Sequence, residues 1–388
     1  MLRYTLLLKK SIFIALFFLI MPFGGKAIFI DVRILSNVKS MALNFTCISG
    51  KYAVFSDSVR VAESYKNNLF QISIVNDKLR LMRNNEWVGD YISLNFRAEG
   101  LYNVFRINSA KPESKERSFD DELRVTIEKG TLRLINHTNI ESYVAGVVQS
   151  EIGGMADSTE FYKVIAIITR TYALNNIMKH FKEGFNMCDG THCQVFFNRC
   201  TSGNILQAVS STFGEVIVDA DLRMISAAYH ANSGGQTCNS EDVWSLPTTY
   251  LKSVVDTFSL NTKNSVWESK IAKKDLISYL ETKYNFNSKD TSKLQRIYNF
   301  TQYKRKVYLI DSVPLKTLRY DFKLRSAFFN ILQKGDTLVL SGKGYGHGCG
   351  LSQEGALRMI QKGYSYKDVI RFYYKNVDIR KYEDIVKF

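Results

Sequence analysis

Glu151, Lys163 with Arg170, and a short cysteine–histidine loop are the groups in this sequence best placed to do chemistry. Glu151 ends the half-apolar stretch Tyr143-Val-Ala-Gly-Val-Val-Gln-Ser-Glu151 and precedes the turn Gly153-Gly154. A carboxyl group at such a mouth, partly withdrawn from water, keeps its proton to higher pH and can donate it near neutrality. The same position also suits a carboxylate that caps a helix or pairs with Arg170. Lys163 and Arg170 stand on one line of a helix expected over 158–179, where Phe161, Val164, Ile165, Ile168 and Tyr172 fall at helical spacing. Asp157 and Glu160 have the spacing of a capping box for that helix. It is apolar on most sides and should be buried, so its two cations need anionic or polar partners.

The second group is Cys188-Asp-Gly-Thr-His192-Cys193, with His180 upstream. Thiolates and imidazoles in one short loop suit tetrahedral zinc. A disulfide, 188–193 or 193–200, is the competing reading in an oxidising compartment. The third group is Gly342-Lys-Gly-Tyr-Gly-His347-Gly-Cys-Gly350, followed by Ser352, Gln353 and Glu354. Its glycines allow close approach of backbone to a ligand or another segment, or make a simple structural turn. It lacks the Gly-Lys-Ser/Thr of a phosphate loop. The stretch Tyr229-His230-Ala-Asn-Ser233-Gly-Gly, running on to Trp244, is a similar polar loop with an aromatic, the mixture that sugar sites use.

The elements that must position these groups divide the chain. Residues 28–109 hold short apolar segments of period two, such as Phe70–Ile74 and Tyr102–Ile107, and read as a β-rich region. Residues 110–122, polar and charged with a proline, read as a linker. Residues 123–388 read as a mixed core, with strands near 123–127, 131–135, 214–219 and 338–341 and helices near 273–282, 352–362 and 366–374. The expected class is α+β: a β-rich N-terminal region, then a mixed core whose buried helix carries the cleft and the zinc loop.

The N-terminus sets the compartment. Lys9 and Lys10 precede the apolar run Ser11–Phe23, and Gly25 and Ala27 are small residues at signal-peptidase spacing. Residues 1–27 therefore read as a signal peptide, the run being shorter than the ~20 residues of a membrane span. An uncleaved anchor is the other reading. The net charge of +15 favours a polyanionic partner. Export removes nucleic acid from the candidates and leaves wall polymers or a membrane surface.

Taken together, the motifs resemble the stage II sporulation protein D (SpoIID/LytB) family. The resemblance rests on VVQSE ending at Glu151, TRTYAL at 169–174, CDGTHCQVF at 188–196, HANSGGQTCNSEDVW at 230–244, LRSAFF at 324–329 and GYGHGCGLSQEGA at 344–356, in that order. It implies a lytic transglycosylase acting on peptidoglycan glycan strands stripped of stem peptides, or an enhancer of a wall amidase. It implies Glu151, Lys163 and Arg170 as catalytic residues. It implies a structural zinc on Cys188, His192 and Cys193, with His180 as fourth ligand. His230, Ser233, His347 and Gln353 become candidate substrate-binding residues. Gln149 departs from the family pattern, where proline is expected, and so do Cys238 and Cys349. Their place within two of the motifs raises a Cys238–Cys349 disulfide as an expectation, with Cys47 and Cys200 left over.

Overall fold

The computed structural model describes residues 27–244, 246–310 and 313–385. The expected signal segment lies outside them but for Ala27. The fold is mixed α+β and rich in strands.

Alternating burial builds the N-terminal half. In β1 (Phe29–Ile34) and the first part of β2 (Ala42–Ser56) every second residue is buried, as a sheet with one covered face requires. Next come β3 (Val59–Ser64), β4 (Leu69–Val75), β5 (Lys78–Arg83), β6 (Glu86–Tyr91), β7 (Leu94–Lys111), β8 (Arg117–Asp120), β9 (Glu122–Glu128) and β10 (Thr131–Asn139). With β11 (Met187–Cys188) they form one sheet, ordered β11-β1-β10-β9-β7-β2-β4-β5-β6, with β3 on β2 and β8 on β7. The stretch 110–122 is therefore not a linker. It carries the end of β7, all of β8 and the start of β9, and polar residues suit the half-exposed faces of these strands.

Two helices follow β10 directly. Asn139 caps α1 (Ile140–Ile152), its side chain accepting from Glu141 N at 2.8 Å. The helix α2 (Thr159–Asn175) is capped by Ser158. Asp157, the expected cap, instead accepts from Asn204 Nδ2 at 2.8 Å. The hydrophobic core runs without a break from the β-rich half into these helices. An aromatic chain marks the continuity: Phe105 to Phe119, Phe119 to Phe196 and Phe196 to Tyr143, with ring centroids 5.8, 5.4 and 5.0 Å apart.

The remainder comprises α3 (Gly203–Ser211), β12 (Glu215–Val218), β13 (Tyr229–His230), α4 (Ser240–Trp244), β14 (Val266–Ala272), α5 (Lys273–Tyr284), α6 (Thr291–Tyr298), α7 (Leu315–Asp321), β15 (Phe329–Lys334), β16 (Thr337–Lys343), β17 (Leu351–Ser352), α8 (Gln353–Gln361), α9 (Tyr366–Tyr373) and β18 (Asp378–Lys381). The sheet β14-β16-β15 and helices α5 to α7 enclose a second apolar core, including Trp267, Leu276, Leu280, Leu318 and Leu340. This lobe lies in the chain between the two glycine-bearing motifs at 230–244 and 344–356.

Candidate active site and metal site

Glu151 sits in the last turn of α1 and lines a cleft of about 900 Å³. The cleft is also lined by Tyr172, Lys179, His192, Cys193, Val195, Tyr229, His230, Trp244, Tyr320, Tyr345, His347 and Gln353. Glu151 is the sole carboxyl group among the described residues that line it. Burial raises its pKa above the ordinary glutamate value, against the opposing pull of hydrogen bonds from Val195 N–H and the Tyr229 hydroxyl.

Three consecutive side chains of α1 hold one loop. Gln149 Oε1 accepts from Thr201 N at 2.8 Å and Ser202 N at 3.1 Å. Ser150 Oγ accepts from Phe197 N at 3.1 Å, and Glu151 Oε1 accepts from Val195 N at 3.1 Å. Gln149, the departure from the family pattern, thus has a part proline could not play. The surfaces between helix and loop meet closely at Gly146. A Cβ there would lie 2.7 Å from Asn198 O and would collide with the Phe196 ring.

At its other end the loop carries a His/Cys cluster that could hold a metal ion. The ligand atoms of His180, Cys188, His192 and Cys193 all lie within 4.8 Å of one another. Cys193 Sγ is 3.3 Å from His180 Nε2 and 3.8 Å from His192 Nδ1, and Cys188 Sγ is 3.8 Å from His192 Nδ1. Tetrahedral zinc, with Zn–S ~2.3 Å and Zn–N ~2.0–2.1 Å, sets sulfur–nitrogen separations of ~3.6 Å. The donors fit such an ion. The Glu183 carboxylate lies 2.6 Å from His180 Nδ1, which leaves Nε2 turned to the cluster. Below the cluster, buried Asp189 accepts from Leu35 N at 2.8 Å and Arg117 Nη1 at 3.1 Å, so the loop is fastened to the sheet as well.

Two expected catalytic cations are elsewhere. Arg170 is fully buried and clasps Glu141 with two nitrogens, Nε to Oε1 at 2.8 Å and Nη2 to Oε2 at 2.5 Å, while Nη1 donates to Glu215 O at 3.0 Å. It ties α2 to α1 and β12, and does not line the cleft. Lys163 pairs with Glu160 at 2.6 Å and lies over the Tyr366 ring. Neither orients Glu151. Ser233 is also outside the cleft lining: its hydroxyl lies 2.7 Å from both Asp256 Oδ2 and Ser259 Oγ, deep in the fold.

His230, His347 and Gln353 do line the cleft. His347 Nε2 lies 2.9 Å from Tyr229 O, and its Nδ1 accepts from Cys349 N at 3.1 Å. This fixes a neutral tautomer, and burial pushes its pKa down to about 4. His230 Nδ1 faces Cys349 O at 3.2 Å, so its Nε2 is an acceptor. Both His230 Nε2 and Gln353 Nε2 are buried without a partner. Among the described residues nothing bonds them, and a ligand or water in the cleft would complete their bonding. The glycine turn makes the packing possible. At Gly346, with φ 115°, a Cβ would stand 2.7 Å from His230 Cβ.

Tyr229, Gln194 and the Val195 amide were not picked out from the sequence. Gln194 is buried and accepts from the Tyr143 hydroxyl at 3.2 Å. It also bonds the Tyr229 side chain, whose hydroxyl reaches Glu151. The six cysteines are all unbonded. Cys238 and Cys349 stand opposite each other in a single parallel bridge, but the expected disulfide is not formed.

Residues 128–218 match the SpoIID family model, described as stage II sporulation protein. An uncharacterized protein of Brachyspira hyodysenteriae is 29% identical over 264 residues, 66% of this chain and 71% of that one. Stage II sporulation protein D of Bacillus amyloliquefaciens is 27% identical over 307 residues, 72% of this chain and 83% of that one. The amidase enhancer of Bacillus subtilis is 27% identical over 292 residues, 61% of this chain but 40% of that longer protein. The helix that carries Glu151, the buried helix after it and the His/Cys loop thus lie within a segment that matches the SpoIID family model, and the chain is similar over much of its length to stage II sporulation protein D and the amidase enhancer.

Proposed function

We propose that this chain is an exported lytic transglycosylase that cleaves peptidoglycan glycan strands, preferably those without stem peptides, and leaves 1,6-anhydro-N-acetylmuramic acid ends. The observation that carries this reading is that Glu151 is the single carboxyl group among the described residues lining the cleft. Hydrolytic glycosidases use two carboxyl groups, one as acid and one as nucleophile or base. A reaction in which the sugar supplies its own nucleophile needs one.

In that reaction the protonated form of Glu151, which burial favours, donates to the glycosidic oxygen as the bond to C1 of N-acetylmuramic acid breaks. The resulting carboxylate then takes the proton of the C6 hydroxyl, whose oxygen closes on C1. Glu151 ends protonated, as it began, carrying the proton of the C6 hydroxyl while its first proton has left with the departing sugar. The Val195 amide and the Tyr229 hydroxyl stabilise the carboxylate between the two transfers. Trp244, Tyr320 and Tyr345 present exposed rings along the cleft, faces on which sugar rings stack. His230 Nε2 and Gln353 Nε2 offer an acceptor and a donor to sugar substituents. Zinc on His180, Cys188, His192 and Cys193 would act as a cross-link, since four protein ligands leave no open position.

The test is mass spectrometry of products from denuded glycan. Wild type should release 1,6-anhydro ends and Glu151→Gln should not. Reducing muramic acid ends from wild type would make it a hydrolase. The name of the B. subtilis relative supports a second reading, a wall-binding module that stimulates an amidase. In that case wild type alone releases no sugar, and Glu151→Gln stimulates a wall amidase as well as wild type does.

A further inference from the structure

A second, smaller cavity adjoins the cleft and shares Trp244, Tyr320 and His347 with it. It lies between the inserted lobe and the 236–244 loop, and four cations line it: Arg305, Lys306, Lys316 and Arg319. Asp242 is the sole acid among its described lining residues. None of the four cations makes an ion pair among the described residues. Arg305 Nε and Nη2 each donate at 2.6 Å, to Gln236 O and Ser233 O. Lys316 Nζ donates to Val243 O at 3.0 Å, and Arg319 Nε reaches Arg325 O at 3.3 Å. Their positive charge is thus met by neutral carbonyls and aromatic rings, with Phe328 4.8 Å from Arg305 and Phe300 5.0 Å from Lys306. Four cations facing one acid leave the described lining of the recess with an excess of positive charge, and guanidinium with ammonium groups suits a carboxylate.

We propose that this recess is an anion subsite that binds the free lactyl carboxylate of an N-acetylmuramic acid residue while the neighbouring sugars occupy the Glu151 cleft. This rests on the glycan-cleaving reading given above. A stem peptide amide-linked to the lactyl group removes that charge and adds bulk at a cavity of about 140 Å³. The subsite would therefore select strands on which the peptide has already been removed. Lys316 and Arg319 are the specificity-determining residues. Arg305 also braces the 233–236 turn through its carbonyl contacts.

The experiment uses the full chain carrying Glu151→Gln, which binds without turnover. Its affinity for denuded glycan oligosaccharides is compared, by titration calorimetry at low salt, with that for the same oligosaccharides after conversion of their carboxyls to methylamides. We expect about tenfold tighter binding of the acid form, in line with a charge-assisted contact. Adding Lys316→Gln and Arg319→Gln together should abolish the preference, so that acid and amide forms bind with equal affinity. Equal affinity for the two glycans, or a preference that survives the double substitution, overturns the subsite. Arg305→Lys, which keeps the charge, should retain the preference if the protein folds, as circular dichroism would show. Failure of the cleavage reading appears separately, as wild type that releases no anhydro product although the carboxylate preference is present.

Discussion

The amide of Val195 donates to Glu151 Oε1 at 3.1 Å, two residues beyond Cys193 in the His/Cys cluster. The carboxyl group proposed to move protons is therefore held by the same short loop that would be closed by the metal. Acid strength and metal loading should be coupled.

Metal removal tests this first. One zinc per chain is expected by elemental analysis, and chelation should free the 188–196 loop. Loss of the Val195 contact misplaces the carboxyl group, and a shift of about 1 Å can cost about 100-fold in rate. Glu183→Gln should weaken zinc binding by about 10–100-fold through the His180 contact. Full activity in demetallated protein would break the link.

The pH profile follows from the raised pKa of Glu151. The proton-donating form is lost as pH rises through that value, so kcat/KM should fall on the alkaline side. The Tyr229 hydroxyl bond lowers the pKa, so Tyr229→Phe should move this limb to higher pH. An unmoved limb would show that Tyr229 does not act on Glu151.

The same shift bears on stability. Glu151 binds its proton more tightly in the folded chain than in the unfolded one. Its favourable contribution is complete below the ordinary value of 4.5 and disappears as pH rises through the folded value. At neutral pH the ionised group weakens the fold. Glu151→Gln, whose amide oxygen can still accept from Val195, should raise the melting temperature by about 2 °C at pH 7.5. The gain should vanish below pH 4.5.

Arg170 and Lys163 should separate cleanly. Removing Arg170 leaves the largely enclosed Glu141 beside Gly214 without its charge partner, and Arg170→Met should cost about 3–5 kcal/mol in chemical denaturation. Lys163→Met breaks a half-exposed pair and should cost less than about 1 kcal/mol, with glycan cleavage unchanged. A large loss of activity in a stable Lys163→Met protein would return Lys163 to the catalytic group.

Much of the site was legible because its chemistry is local in sequence. Cys188, His192 and Cys193 lie in one loop, and Glu151 stands before a glycine turn. Lys163 and Arg170 were misplaced because helical spacing gives a direction relative to the helix, not to the fold. The partner of Arg170 is Glu141, on the preceding helix, and only the packing of α1 on α2 brings it there. The buried helix was read correctly, whereas α1 was missed because its apolar residues nearly surround it. Tyr229 carries no signal of its own: its role depends on Glu151, far away in the chain. The lobe around Trp267 was read only in part, as the helix near 273–282 and the strand near 338–341; that they share a core of their own is a matter of packing.

Gly146 faces the loop one turn and a half before Glu151, where even a methyl group would meet Phe196 and Asn198 O. A side chain at this position would lever Phe196 outward and carry its neighbour Val195 away from the carboxylate. The tightness with which Glu151 keeps its proton is then tuned by a residue that has no side chain and never touches it. Enlarging position 146 should change acidity before it changes the fold, making this gap the adjusting screw of the proton donor.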